Sequence, residues 1–187
     1  MHILVKALKK AIGLLDQQHI QYMIIGGLAN SLYGEARQTF DIDIKLQIEE
    51  RQLPDFIAGV AAIGSVMTGD PQNFVRDTGV LPVDMETVRV DFILAQLPYE
   101  QQAIARSRKT ELLGVIAAVA TAEDLIIQKS VSQRNKDWLD IEGIVNRQRA
   151  ELDWSYIMKN IRELSEFLSD PAIIKRIEVL HEQTGRS

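Results

Sequence analysis

The chain has 187 residues, is 46% hydrophobic and carries a formal net charge of -5. That is long enough to bury a sizeable core as one domain, or as one domain with a helical extension. Cysteine is absent and His2, His19 and His181 lack ligand-like spacing, which excludes a disulfide framework and argues against a zinc centre.

No stretch reaches the roughly 20 apolar residues needed to cross a bilayer, and the N-terminus lacks the order of a secretory signal. The expectation is a cytoplasmic protein without a membrane partner. Residues 1–100 hold 8 basic and 13 acidic side chains, whereas residues 101–187 hold 13 of each. An acidic first half suits divalent cation binding and opposes wholesale electrostatic binding of nucleic acid. Arg106, Arg108 and Lys109 form a local basic patch, more simply read as a solvated face.

In chain order, Val5, Leu8, Ile12 and Leu15 recur at helical spacing and predict an amphipathic helix over residues 2–18. Tyr22–Ile25 is a short apolar strand stopped by Gly26-Gly27, and Leu28–Tyr33 fits a short helix closed by Gly34. Residues 39–48 alternate: Phe40, Ile42 and Ile44 are expected in the core, with Thr39, Asp41 and Asp43 on the opposite face. Pro54 opens a helix to Ile63, with Gly64 closing it. Gly69-Asp70-Pro71 and Asp77-Thr78-Gly79 are turn signals around a stretch left unassigned.

Strands are predicted over Val80–Met85 and Thr87–Leu94, the second with Arg89, Asp91 and Ile93 on one face. Pro98 starts a helix through Ala105, and Leu112–Ala120 reads as strand or loop. Helices follow at Ala122–Ser132, Lys136–Arg149, Trp154–Leu168 and Pro171–Glu182, with Thr121 as an N-cap. Strands therefore concentrate before residue 120 and helices after it, dividing the chain into residues 1–120 and a helical region of residues 121–187.

Gly26-Gly27 between a strand and a helix lets backbone N–H groups approach an anion, although a plain turn explains it as well. Asp41 and Asp43 on one strand face can grip one ion or a pair, although such a pattern also suits the wet face of an edge strand. Asp91 lies centrally in its strand; Asp84 and Glu86 compete with it as a third carboxylate. Trp138 and Trp154 read as helix-packing residues rather than base-stacking platforms.

The ordered string Ile25-Gly26-Gly27, Asp41-Ile42-Asp43 and Asp91 resembles the signature of the nucleotidyltransferase superfamily with the polymerase-beta-like fold. Gly26-Gly27-Leu28-Ala29-Asn30, Gly34, Arg37, Thr39 and Asp41–Ile44, with Thr121–Ile126, Lys129, Arg134 and Asp137–Asp140, are similar to the AbiEii-type, or minimal-nucleotidyltransferase-like, branch.

The resemblance implies an α+β fold: a mixed-sheet nucleotidyltransferase core flanked by helices, with a C-terminal helical region packed on the core. It implies Asp41, Asp43 and Asp91 as catalytic and metal-binding residues for Mg2+ or Mn2+. Gly26, Gly27, Arg37, Thr39 and Lys129 would bind a nucleoside triphosphate. The implied activity is nucleotidyl transfer to a hydroxyl of RNA, protein or a small molecule, in a toxin-antitoxin setting with an antitoxin partner or as an antibiotic-modifying transferase. Many superfamily members have Ser where this chain has Gly27, so the alternative is a catalytically silent member that binds a nucleotide or a partner protein. Arg134, Asp137 and Asp140 are read as a structural ion-pair network that alternatively lines the acceptor side.

Overall fold

The computed structural model describes residues 2–35 and 38–184. It divides into two compact units, residues 1–28 with 38–120, and residues 29–37 with 121–187. Residues 29–35 are grouped with the later helices rather than with the strands.

The first unit is built on one mixed sheet. Its strands, among the described residues, are β1 (Gln21–Ile25), β2 (Asp41–Gln47), β3 (Ser65–Val66), β4 (Val80–Met85), β5 (Val88–Leu94), β6 (Arg108–Leu112) and β7 (Val115–Val119), in the order β3-β4-β5-β2-β1-β7-β6. The β1–β7 and β2–β5 pairs are parallel, and the other neighbours are antiparallel. In the parallel β2–β5 pair, Asp41 lies beside Arg89 and Asp43 beside Asp91.

Strand alternation then sorts the side chains. Ile42, Ile44 and Leu46 of β2, Val90 and Phe92 of β5, and Leu81 and Val83 of β4 are all fully buried on one face. Phe56 meets Phe92 edge to face at 5.2 Å between ring centres, a favourable aromatic geometry. Helices α1 (His2–Gln17) and α3 (Leu53–Ile63) supply apolar stripes to this unit, including Leu8, Ile12 and Leu15, and Phe56 and Val60. The opposite face carries Asp41, Asp43, Arg89 and Asp91 at one end and Lys45 farther along.

Three expectations need correction. Phe40 is not a core residue: β2 begins at Asp41, and Phe40 precedes it with 73% of its surface exposed. Residues 71–78 form a helix, α4 (Pro71–Thr78), for which Asp70 is the N-cap, Pro71 opens the first turn and Gly79 closes it at φ 71°. The stretch around Leu112–Ala120 belongs to a hairpin that begins at Arg108. Arg108 and Lys109 lie on β6 at the sheet's edge, where charge opposes pairing with another chain.

A further helix, α5 (Pro98–Arg106), packs against β1 and β2. Helix α2 (Gly26–Tyr33) starts directly from β1, two residues earlier than the pattern suggests.

The second unit is helical, with α6 (Ala122–Ser130), α7 (Asn135–Gln148), α8 (Trp154–Leu168) and α9 (Ala172–Thr184). Its core includes Leu125, Ile126, Ile141, Ile144, Ile157, Ile161 and Ile177, each at most 1% exposed. Thr121 caps α6 by accepting the Asp124 N–H, and Tyr156 donates its hydroxyl to Asp124 at 2.8 Å. Arg176 lies over the Trp138 ring at 3.6 Å, and Trp154 stacks on His181, so both indoles pack within this unit. No helix among the described residues is long and apolar enough to cross a membrane.

Candidate active site

The site begins with the turn from β1 into α2. Gly26 has φ 65°, a left-handed conformation that favours glycine. A Cβ there would collide with the Asp43 carboxylate, whose Cγ would sit 2.7 Å away. The register explains the closeness, because Ile25 at the end of β1 lies opposite Asp43 on β2. The glycine thus serves two needs, a backbone angle and room for a carboxylate. Gly27 follows as a buried residue in the first turn of α2, where N–H groups lie outside the helix's own hydrogen-bond ladder and the dipole favours an anion.

Asp41 is exposed, while Asp43 and Asp91 are half-buried. Thr39 donates its hydroxyl to Oδ1 of Asp41 at 2.6 Å, so it reaches the carboxylate from outside the strand. Arg37 lies outside the described residues. Asp84 and Glu86, the competing carboxylates, serve the β4–β5 connection instead. Asp84 accepts the Thr87 N–H at 2.9 Å, and Glu86 pairs with Lys10 at 2.6 Å.

Arg89 is the residue that sequence reasoning did not single out. Its Nε donates to both oxygens of Asp91, at 2.9 and 3.0 Å, leaving 56% of the Arg89 side chain and 18% of that of Asp91 exposed. The Asp91 carboxylate beside it, through hydrogen bonding and charge, raises the Arg89 pKa above its ordinary value, and Asp41 and Asp43 add to that field. The signal was available: Arg89 is two residues before Asp91 and therefore shares its face.

A second overlooked pair lies farther along the same face. Lys45, buried at 8% exposure, forms an ion pair with Oε1 of Glu100 on α5. The other Glu100 oxygen accepts the N–H groups of Gln96 and Leu97 at 2.7 and 3.0 Å, closing the start of α5.

Lys129 belongs to the second unit, and its ammonium donates to Asp137 and Asp140 at 3.0 and 2.7 Å. Asp137 also accepts from Ser132 and Arg134, both at 2.7 Å. Burial pushes the Asp137 carboxyl up, but the hydrogen bonds from Ser132, Lys129 and Arg134 outweigh it and hold the pKa below the ordinary carboxylate value.

All-oxygen donors on paired strands suit a hard divalent cation in chemistry and register. As the side chains stand, no group of three or more His, Asp or Glu residues converges on a cation position among the described residues. Asp91 is turned to Arg89, and Asp41 accepts from Thr39.

Comparisons place this geometry among known folds. The solution structure of the antibiotic-resistance factor ANT(2'')-Ia is 20% identical, with 96% of this chain and 89% of that chain covered and a TM-score of 0.51. A crystal structure of ANT(2'')-Ia with adenylyl-2''-tobramycin is 19% identical, covering 97% of both chains with a TM-score of 0.51. An antigenic nucleotidyltransferase-like protein from Paracoccidioides brasiliensis is 15% identical, with 93% and 92% coverage and a TM-score of 0.50. These likenesses establish the nucleotidyltransferase fold, an α+β arrangement of mixed sheet and helices. No curated protein matches the chain. The family described as nucleotidyltransferase of unknown function (DUF6036) matches residues 3–178, nearly the whole chain, and the protein belongs to that family.

Proposed function

We propose that the protein transfers a nucleotidyl group from a nucleoside triphosphate to an acceptor hydroxyl, using the sheet face that carries Asp41, Asp43 and Asp91. The observation that supports this most is the pairing of Asp43 with Asp91 across parallel strands, beside a glycine that any side chain would drive into Asp43. In this reading Asp41 and Asp43, joined by Asp91, hold Mg2+ or Mn2+. The ion would neutralise phosphate charge and ease deprotonation of the attacking hydroxyl.

The chain's own groups have defined tasks. Backbone N–H groups at Gly26-Gly27 receive phosphate oxygens, and Thr39 orients Asp41. The acceptor oxygen bonds to the α-phosphorus while the bond to the pyrophosphate oxygen breaks. The leaving pyrophosphate takes that electron pair, and the Asp91 carboxylate accepts the hydroxyl proton. Asp91 must leave Arg89 for this task. Nucleotide binding without transfer is the second reading, favoured by the Arg89–Asp91 pair and by the missing hydroxyl at Gly27.

Radiolabelled ATP, GTP, CTP and UTP with Mg2+ test the proposal against three acceptor classes: cellular RNA, lysate proteins and aminoglycosides. A labelled product that disappears in Asp41→Ala supports transfer, and its class identifies the acceptor. Binding of a triphosphate by calorimetry with no transfer to any acceptor would favour the silent reading. Within the proposal, an AbiEii-type toxin role requires growth arrest on expression and relief by an antitoxin partner.

A further inference from the structure

The geometry points to Arg89 as a resident cation that holds Asp91 away from metal coordination until an incoming divalent ion displaces it. This rests on the proposed metal role of Asp41, Asp43 and Asp91, and assigns a positioning role to a residue outside that set. Three observations carry it. Arg89 Nε grips both Asp91 oxygens, so neither points without competition toward the neighbouring strand. The register puts Arg89 beside Asp41 and Asp91 beside Asp43, so the guanidinium and the three carboxylates share one face. On the other side of β5, Asp84 lies beside Arg89 but accepts the Thr87 N–H.

A guanidinium can satisfy a carboxylate in the way an ion would, and here one Nε–H is shared between both Asp91 oxygens. While it does so, the third ligand of a divalent ion is engaged elsewhere. Apparent affinity for the ion then falls by the fraction of molecules in which Asp91 is released. The side chain of Arg89 is 56% exposed, so its charge can move into water when it is displaced. Its departure also adds negative charge to the site as the cation enters. The arrangement therefore makes metal binding weak until a second ligand, such as a triphosphate that brings its own oxygens, raises the affinity.

Mn2+ titration of the 187-residue protein, followed by the paramagnetic resonance of free Mn2+, tests this without reference to turnover. Arg89→Gln should bind Mn2+ about tenfold more tightly than the wild type, the change expected when a neighbouring like charge is removed. In an Asp91→Asn background the same Arg89→Gln change should yield much less gain, since there is no carboxylate to release. Unchanged melting temperatures would assign the difference to the site. Binding that Asp41→Asn and Asp43→Asn weaken but Arg89→Gln leaves unchanged or weaker overturns the role of Arg89 alone. Absence of Mn2+ binding in both the wild type and Arg89→Gln overturns this role together with the metal reading beneath it.

Discussion

The carboxylate face of the sheet and the acidic pair of the helical unit use the same residue types to opposite ends. Around Lys129, two carboxylates meet Lys129 and Arg134, and the Lys129, Asp137 and Asp140 side chains are less than 10% exposed. Around Asp43, among the described residues, three carboxylates share a face with the Arg89 guanidinium, which is more than half exposed, and with buried Lys45 farther along. In the first set the lysine and both carboxylates are buried and Arg134 meets them from the surface, an arrangement suited to holding helices together. In the second, Asp41 and Arg89 are exposed to water. Balance and burial, more than the presence of carboxylates, are what would distinguish a structural network from the cation site proposed for the sheet face.

Breaking the internal balance gives the largest expected effect. Lys129→Met leaves Asp137 and Asp140 without their shared cation and should lower stability by about 3–5 kcal/mol, read by urea denaturation. The same variant addresses the triphosphate role that its sequence context suggested. Loss of nucleotide affinity with no loss of stability would support that binding role. On the sheet face, Asp41→Asn should instead leave the denaturation midpoint unchanged while reducing nucleotidyl transfer by about 10²–10³-fold, the range for removing one electrostatic group from a transition state. A similar fall in stability would show that the face is structural too.

A smaller effect is expected at Gly26→Ala, where a left-handed backbone angle and the contact with Asp43 combine. A loss of about 1–3 kcal/mol follows from the strain, with a matching fall in triphosphate affinity by calorimetry. The smallest concerns pH. The Asp137 pKa is lower in the folded protein than in the unfolded chain, so its contribution is complete above the unfolded value and is lost as pH falls through the folded one. Circular dichroism during acid titration should show Arg134→Gln unfolding at a slightly higher pH than the wild type, with both proteins fully folded near neutrality.

Much of the sheet could be read from the sequence because its strands alternate or run apolar between turn residues. Asp41 and Asp43 fell on one face of their strand by periodicity alone, whereas Asp91 joins them only through the β2–β5 register, which makes it a neighbour of Asp43. Other features depended on information that periodicity does not carry. Helix α4 is short and polar, so its capping residues Asp70 and Gly79 were read as turns rather than as the two ends of one element. Phe40 had the right spacing for the core, yet the strand starts one residue later, and hydrophobicity cannot report that boundary. The Arg89–Asp91 contact is a rotamer choice between residues two apart, whereas Lys45 and Glu100 are 55 positions apart and meet only after α5 packs on the sheet.

Glu100 deserves a different kind of reading from the site residues, because its two oxygens are divided between unrelated clients. One neutralises Lys45 on the strand that carries Asp41 and Asp43, and the other receives two backbone N–H groups at the head of α5. Glutamine would preserve a carbonyl for the helix but offer Lys45 no charge, while aspartate would keep the charge but shorten the reach. The position therefore has few acceptable substitutes although it touches no reacting atom. A mutational screen scored by activity would rank Glu100 beside the carboxylates, and stability measurements would be needed to tell an anchoring beam from a working part.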